Sequence, residues 1–581
     1  MANEDTGEPA LTGAAEREDD WLLEPWAPRP WGSAALLGVA GLVVHFLSGV
    51  PDPTPWRAAA TGFVAVASLS LAVTFAPGRA KPSLIFSLLA GLVVAGLAWR
   101  VESAGDRYAA PEFWFAAGLL AVGLALPLFQ AGFHRLRWQT PYKVAHFHVW
   151  TDAISLAGAA AFTGLSWALV WLLAALFELI QIDILRELVA EEWFGLTFAG
   201  AAFGAALGTL RNQLRILGTL QSVVLLVFSL LAVPLAAALA VFLVAVIFSG
   251  LDVLWEATRS ATPVLLAIAV GSFVLVNAVV RDERADMSGS RIMRIAARIL
   301  ALGILPLTIF AAISMGMRIA QHGLSPERIW SLIAIAVGVA YGVGYFAAVL
   351  RGWRGEWDER LRRANMHLAV ATCVIAFILA LPIVDFGAVS ARNQVARLNS
   401  GKVSVEDFDY AALRWDFGDA GRRALERLAK VGNGKVASLA SDTVAMRNRP
   451  YGTTSMNERR QISYKPDLSR FDEQTADAIR AHLRDEIILC REGCRVINLG
   501  EVRQGRLIAV MTTSEYGTNP HLLLVKPKSA KAITQRIVDG ALVHEHEELG
   551  RAPSADGVVE LRPFTGVQVF VNGEPASQPF K

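Results

Sequence analysis

The sequence predicts a polytopic α-helical membrane bundle of about eleven spans, mainly α, followed by a C-terminal soluble α+β domain. Three observations carry this. Long apolar runs recur from residue 32 to residue 386 and then stop. Charged residues make up 18% of the 581-residue chain, where soluble proteins carry roughly a quarter. The last third alternates polar and apolar residues at helical and then strand spacing.

The first thirty residues hold eight acids against Arg17 and Arg29. Such a segment buries little apolar surface, and 1–30 reads as an acidic disordered cytoplasmic tail. A secretory signal would need a basic start, so the first apolar run reads as a retained membrane helix. No basic arm of the kind that binds nucleic acid is present.

Within 31–386 the spans fall near 32–50, 56–75, 83–100, 112–131, 152–180, 194–210, 219–249, 262–280, 299–317, 328–350 and 366–386. Runs near twenty residues match the hydrocarbon thickness of a bilayer. The sixth is short and small-residue-rich, and the seventh is long and contains Pro234. With the N-terminus cytoplasmic, the loops on that side hold nineteen Lys and Arg and the opposite loops seven. Positive charge favours the cytoplasmic face. Eleven crossings then put the C-terminus on the other side. The expected location is the cytoplasmic (inner) membrane of a bacterium, with the lipid bilayer as partner, no nucleic acid, and a further protein or lipid partner unspecified.

Residues 387–581 read as the extracytoplasmic α+β domain. Segments 403–415, 419–430 and 471–483 are amphipathic helices, with Asp419 placed to cap the second. "CRVINL", "RLIAVMTT", "HLLLVKP" and "VQVFVNGEP" are strands of a small, mainly antiparallel sheet.

Several features bear on function. Gly200, Gly204 and Gly208 recur every four residues in span six, and Gly338 and Gly342 do so in span ten. Small residues at that spacing form a groove for close helix packing. A substrate pathway or a dimer seam is the alternative. In "MRIAQHGLSPERIW", Gly323 suits a helix stop, Ser325 an N-cap and Pro326 a first helical position. Arg318, His322, Glu327 and Arg328 then remain, either as surface anchors or as an outer-surface anion or headgroup site. His45 reads as a buried, hydrogen-bonded histidine rather than a relay. Ionisable groups inside the spans are scarce in this reading, which argues against a proton-coupled transporter.

Cys490 and Cys494 flank "REG". Outside the cytoplasm they read as a disulfide, with free thiols or redox and metal chemistry as alternatives. His544 and His546 share a strand face and would complete a zinc set with them, although a solvated edge is the simpler reading. Cys373 reads as a packing residue in span eleven. No nucleophile–base set, phosphate loop or nucleotide motif is present, so catalytic, metal and cofactor-binding residues are expected to be none.

The runs "LPLTIFAAISMGMRIAQHGLSPERIW" and "SARNQVARLNSGKVSVEDFDYAALRWDFGDAGRRALERLA" resemble the bacterial membrane proteins grouped as the domain-of-unknown-function 4153 family. The resemblance implies a polytopic bacterial membrane protein and assigns no activity. The leading expectation is a non-enzymatic sensor, binding protein or envelope scaffold. The rivals are a carrier of a lipid or neutral solute, and an envelope enzyme acting on a lipid-linked substrate through Arg318, His322 and Glu327.

Overall fold

A computed structural model describes residues 26–49, 54–249, 261–381, 383–449, 462–465, 470–485, 494–502, 505–514, 517–525, 533–534, 559–563, 567–571 and 574–575. Among these, eleven helices are long and apolar enough to cross a membrane. They are α1 (Arg29–Ser48), α2 (Pro55–Thr74), α3 (Ala80–Ala104), α4 (Pro111–Gln130), α5 (Tyr142–Glu178), α6 (Glu192–Asn212), α7 (Leu214–Ser249), α8 (Ala261–Val280), α9 (Arg291–His322), α10 (Pro326–Arg351) and α11 (Trp357–Ala380).

The helices outrun their apolar segments, and unevenly. α5 starts at Tyr142 rather than near 152, and α11 at Trp357 rather than near 366. Hydropathy sees the hydrocarbon-length stretch only, whereas a helix continues until its backbone is capped or broken. α11 instead ends early, at Ala380, because Leu381 precedes a proline and is extended (φ −76°, ψ 156°).

Close backbone approach organises the first helices. A Cβ built on Gly200 would lie 2.2 Å from the Leu37 carbonyl oxygen, and one on Gly204 2.2 Å from that of Ser33. Gly208 lies against Arg29 and Pro30 in the same way. α6 therefore meets α1 backbone to backbone over two turns. A second such contact joins α10 to α9, where Gly342 approaches the Leu305 backbone and Gly338 the Thr308 methyl. This contact sits at Pro306 inside α9. Thr308 Oγ1 donates there to the Ile304 and Leu305 carbonyls, which serves backbone acceptors beside a proline that has no N–H to give. The largest apolar core gathers α7, α8, α9 and α10 around Leu300, Ile304 and Leu307.

The chain divides into two compact units between Ser390 and Ala391, a point that falls inside α12 (Phe386–Asn399). The second unit begins with a helical part, α13 (Tyr410–Trp415), α14 (Gly418–Val431) and α15 (Lys435–Ala445). Its core is Phe408, Leu413, Phe417 and Leu425. Two expectations are corrected here. Residues 403–409 are not helical: Ser404 and Asp407 form a hydrogen-bonded turn, and Asp409 caps α13 by accepting from the Ala412 N–H at 2.9 Å. Asp419 does not cap α14. It lies inside the first turn and pairs with Arg422 at 2.7 Å.

The later part carries α16 (Glu473–Asp485) and a five-stranded sheet, with strands β1 (Ile462–Lys465), β2 (Cys494–Val502), β3 (Gly505–Ser514), β4 (Gly517–Val525) and β5 (Ile533–Thr534) in that order. β1 pairs parallel to β2 and the remaining neighbours are antiparallel. Val496, Ile508 and Val510 alternate onto the face that packs with Ile479 and Leu483 of α16. β6 (Val559–Pro563), β7 (Val567–Val571) and β8 (Glu574–Pro575) form a separate three-stranded sheet.

Candidate functional site

The expected outer hairpin is built as a turn. Gly323 has φ +74° at the end of α9, and Ser325 caps α10 through the Arg328 N–H. The Arg328 guanidinium turns back onto the Gly323 carbonyl at 2.6 Å and the His322 carbonyl at 3.3 Å, a favourable place for a cation at a helix C-terminus. His322 and Glu327 are exposed. Arg318, His322, Glu327 and Arg328 line none of the cavities described below. His45 is half-buried in the last turn of α1 beside Phe46, not deep in the span. Cys373 is a half-buried free thiol. Cys494 opens β2 in the sheet core, while Cys490, His544 and His546 lie outside the described residues. Among the described residues no group of three or more His, Cys, Asp or Glu is arranged to hold a metal.

The polar chemistry lies elsewhere, at the end of the bundle where the basic loops gather. Here charged groups are buried at span ends rather than within the apolar stretches. Asp152 of α5 and Arg211 of α6 form a buried ion pair at 2.6 Å. Gln130 of α4 accepts from Arg211 at 2.9 Å and donates to the second Asp152 oxygen. Arg29 of α1 donates to the Arg211 carbonyl at 2.8 Å. Four helices thus meet in one charged knot. On the next connection, outside the spans, His134 stacks on Phe129. Partial burial, with Arg135 and Arg79 adding to it, lowers its pKa below the ordinary histidine value.

A second knot joins α5, α8, α10 and α11. Tyr345 OH donates to Asn365 Oδ1 at 2.7 Å. Asn277 Nδ2 donates to Tyr345 OH at 2.7 Å and to the Phe273 carbonyl at 2.8 Å. Asn365 Nδ2 donates to Asn277 Oδ1 at 2.6 Å and to Tyr142 OH at 3.0 Å. Asn365 spends both donors and its acceptor inside this ring, and Asn277 one donor and its acceptor, its other donor going to the Phe273 carbonyl. Beside it, Arg362 pairs with Asp358 one turn earlier at 3.0 Å. It also caps α8 by donating to the Val280 and Arg281 carbonyls. Arg281 itself holds φ +53°, a left-handed conformation uncommon for a residue with a side chain. The Arg362 bond fixes that corner.

Two cavities flank the second knot. One, of about 750 Å³, lies between α4, α5, α7, α8, α9, α10 and α11. Its walls are mostly aliphatic and aromatic, with Leu124, Phe228, Phe273, Val337 and Tyr341 among them. Asn277, Asn365, Thr308, Thr372 and His146 supply its few polar groups. The other, of about 560 Å³, is charged. Trp138, Asp282, Glu283, Arg284, Glu359 and Arg363 line it, and Tyr142 and Met366 belong to both. An apolar volume of this size with a few placed polar groups is the usual form of a small-molecule or lipid site.

Of these residues the sequence reading singled out Gly338, which lines the apolar cavity. It missed Tyr142, His146, Asp152, Asp358, Arg362 and Asn365. All but Asp152, which opens the fifth span, sit in the turns that hydropathy assigned to loops. The available signal was spacing: His148 and Asp152, and Asp358 and Arg362, stand four apart, on one helix face.

A family model described as "Domain of unknown function (DUF4153)" matches residues 61–428. Neither the comparison with curated proteins nor that with solved structures gives a match.

Proposed function

We propose, from the premise that this chain belongs to the DUF4153 family, that it is a multi-pass membrane protein whose helical bundle binds a membrane lipid. The observation that carries this reading is the apolar cavity of about 750 Å³, lined by Tyr142, Asn277 and Asn365 of the ring that Tyr345 completes. A scaffold needs no such volume. The envelope-enzyme reading drew on Arg318, His322 and Glu327, which the cavity does not include. A lipid carrier uses the same cavity and adds movement between leaflets.

The orientation that goes with this reading places the protein in the cytoplasmic membrane of a bacterium. The N-terminus and the two charged knots face the cytoplasm, and the residues after Ser390 lie outside. The Lys and Arg bias of the loops supports it. Alkaline phosphatase fused after Lys581 is then active, and a cytoplasm-only fluorescent reporter there is dark. A bright reporter reverses the orientation.

Lipid binding is tested by native mass spectrometry of the detergent-purified chain. The wild type retains about one lipid per chain, as a preformed pocket implies. Ala369→Trp, which fills the cavity from α11, loses it while the protein stays monodisperse. Equal retention by the wild type and Ala369→Trp refutes the reading.

A further inference from the structure

The two cavities differ sharply in chemistry yet share a wall. Tyr142 and Met366 face both. Along α11, Glu359, Arg362 and Arg363 border the charged pocket, and Asn365, Ala369 and Thr372 the apolar one. The step from Arg362 to Asn365 is three residues, roughly 4.5 Å of helix rise. A charged pocket and an apolar one this close match the two ends of one amphiphile.

The charges narrow its headgroup. Arg362 is matched by Asp358, Arg363 by Glu359 at 3.3 Å, and Lys143 by Glu283 at 3.1 Å. Arg284 and Asp282 line the same pocket and form no direct ion pair among the described residues, although the Lys143 ammonium is near enough for Asp282 to act on it through space. Among the described residues the pocket therefore holds one cation and one anion without a direct ion-pair partner. A phosphate suits the first and an ammonium the second. A purely anionic headgroup would satisfy Arg284 and meet Asp282 as a like charge.

A third polar group lies deeper. Trp150 Nε1 donates to His146 Nε2 at 3.1 Å. An indole only donates, so Nε2 carries the lone pair, and the ring proton of the neutral imidazole is on Nδ1. That Nδ1 is buried without a partner among the described residues, and His146 lines the apolar cavity one turn beyond Tyr142. A spare N–H on a residue in the wall of an apolar chamber, brought to the surface by a turn of the ring, fits an ester carbonyl, the acceptor that lies between headgroup and chain in a glycerolipid.

We propose that the two cavities form one site for a zwitterionic, ammonium-bearing phospholipid, with phosphate at Arg284, ammonium at Asp282, ester carbonyl at His146 and an acyl chain in the apolar chamber. This rests on the lipid-binding reading above and assigns its headgroup. The test uses the full chain in nanodiscs with photoreactive phospholipids. Each carries a diazirine near the end of one acyl chain, and the headgroup is either ethanolamine or glycerol. Labelled peptides are mapped by mass spectrometry. The ethanolamine probe labels cavity-lining segments of α5, α8 and α10 about tenfold more than the glycerol probe. Arg284→Gln, in an exposed loop, weakens labelling by the ethanolamine probe. Asp282→Asn, beside it, narrows the preference by admitting the glycerol probe. His146→Phe weakens labelling by both. Equal cavity labelling by the two probes, unchanged by Arg284→Gln and Asp282→Asn, overturns the headgroup assignment and leaves the lipid-binding reading standing. Absence of cavity labelling by either probe overturns both.

Discussion

Replacing Asp152 with leucine tests whether the first charged knot is an ion pair in substance or an ordinary polar contact. The side chains of Arg211 and Asp152 are 7% and 8% exposed. Leucine at 152 leaves the Arg211 guanidinium buried, with Gln130 its remaining side-chain acceptor. Stranding one member of a buried pair costs about 3–5 kcal/mol. A single interhelical hydrogen bond in a membrane protein averages about 0.6 kcal/mol. The two accounts differ enough to be separated by equilibrium unfolding in mixed micelles with increasing dodecyl sulfate. Asp152→Leu is expected to lose about 3 kcal/mol or more. The double variant Asp152→Leu/Arg211→Leu removes both charges and is expected to regain at least half of that loss, because desolvation of the pair is relieved as well. Asp152→Asn, which keeps an acceptor and removes the charge, falls between. A loss below about 1 kcal/mol for Asp152→Leu, or a double variant no better than the single one, refutes the account.

Three further expectations follow from local structure. Gly323→Val forces a β-branched residue to φ +74°, ψ −177°, a glycine region whose strain costs about 1–3 kcal/mol, so its unfolding midpoint falls, while exposed His322→Ala stays within about 0.5 kcal/mol of wild type. Asp472 caps α16 through the Thr475 N–H at 2.9 Å and its hydroxyl at 2.8 Å. Those bonds, backbone first, and then Arg506 hold its carboxyl below the usual carboxylate range. A depressed folded pKa gives stabilisation that is complete above the unfolded value near 3.9 and lost as pH falls through the folded one. Asp472→Ala should therefore speed amide exchange in the first turn of α16 roughly fivefold at neutral pH, a cap worth about 1 kcal/mol, and should do little once the wild-type carboxyl is protonated. With the C-terminal unit in an oxidising space, alkylation without reductant should spare Cys490 and Cys494, and reductant should leave the reactivity of Cys373 unchanged. Modification of both tail cysteines without reductant removes the disulfide.

What could be read in advance follows from how each feature is encoded. The spans are written as contiguous apolar runs, and hydropathy finds them because the bilayer imposes one length on all. Gly323, Ser325 and Pro326 specify their turn locally and were legible for the same reason. Gly200, Gly204 and Gly208 announced a close helix contact, but nothing in the sequence says that α1 is the partner. The amide–phenol ring was out of reach, since Tyr142, Asn277, Tyr345 and Asn365 come from four separate helices. Asp358 and Arg362 looked like loop charges because a buried pair one turn apart has the composition of a solvated one. The helix expected at 403 failed because Ser404 and Asp409 bind nearby N–H groups more readily than they continue a helix.

The seam between α1 and α6 also bears on how the chain is made. Arg29 and the Arg211 carbonyl that it meets are 182 residues apart. At roughly 5–20 residues per second of synthesis, α1 enters the bilayer about 10–40 s before α6 exists to receive it. During that interval the face of α1 that ends against Gly200, Gly204 and Gly208 rests on lipid. Four helices are inserted while it waits. A chain stopped before residue 192 would leave α1 without its partner, so membrane quality control that reads unpaired helices would meet its substrate there first.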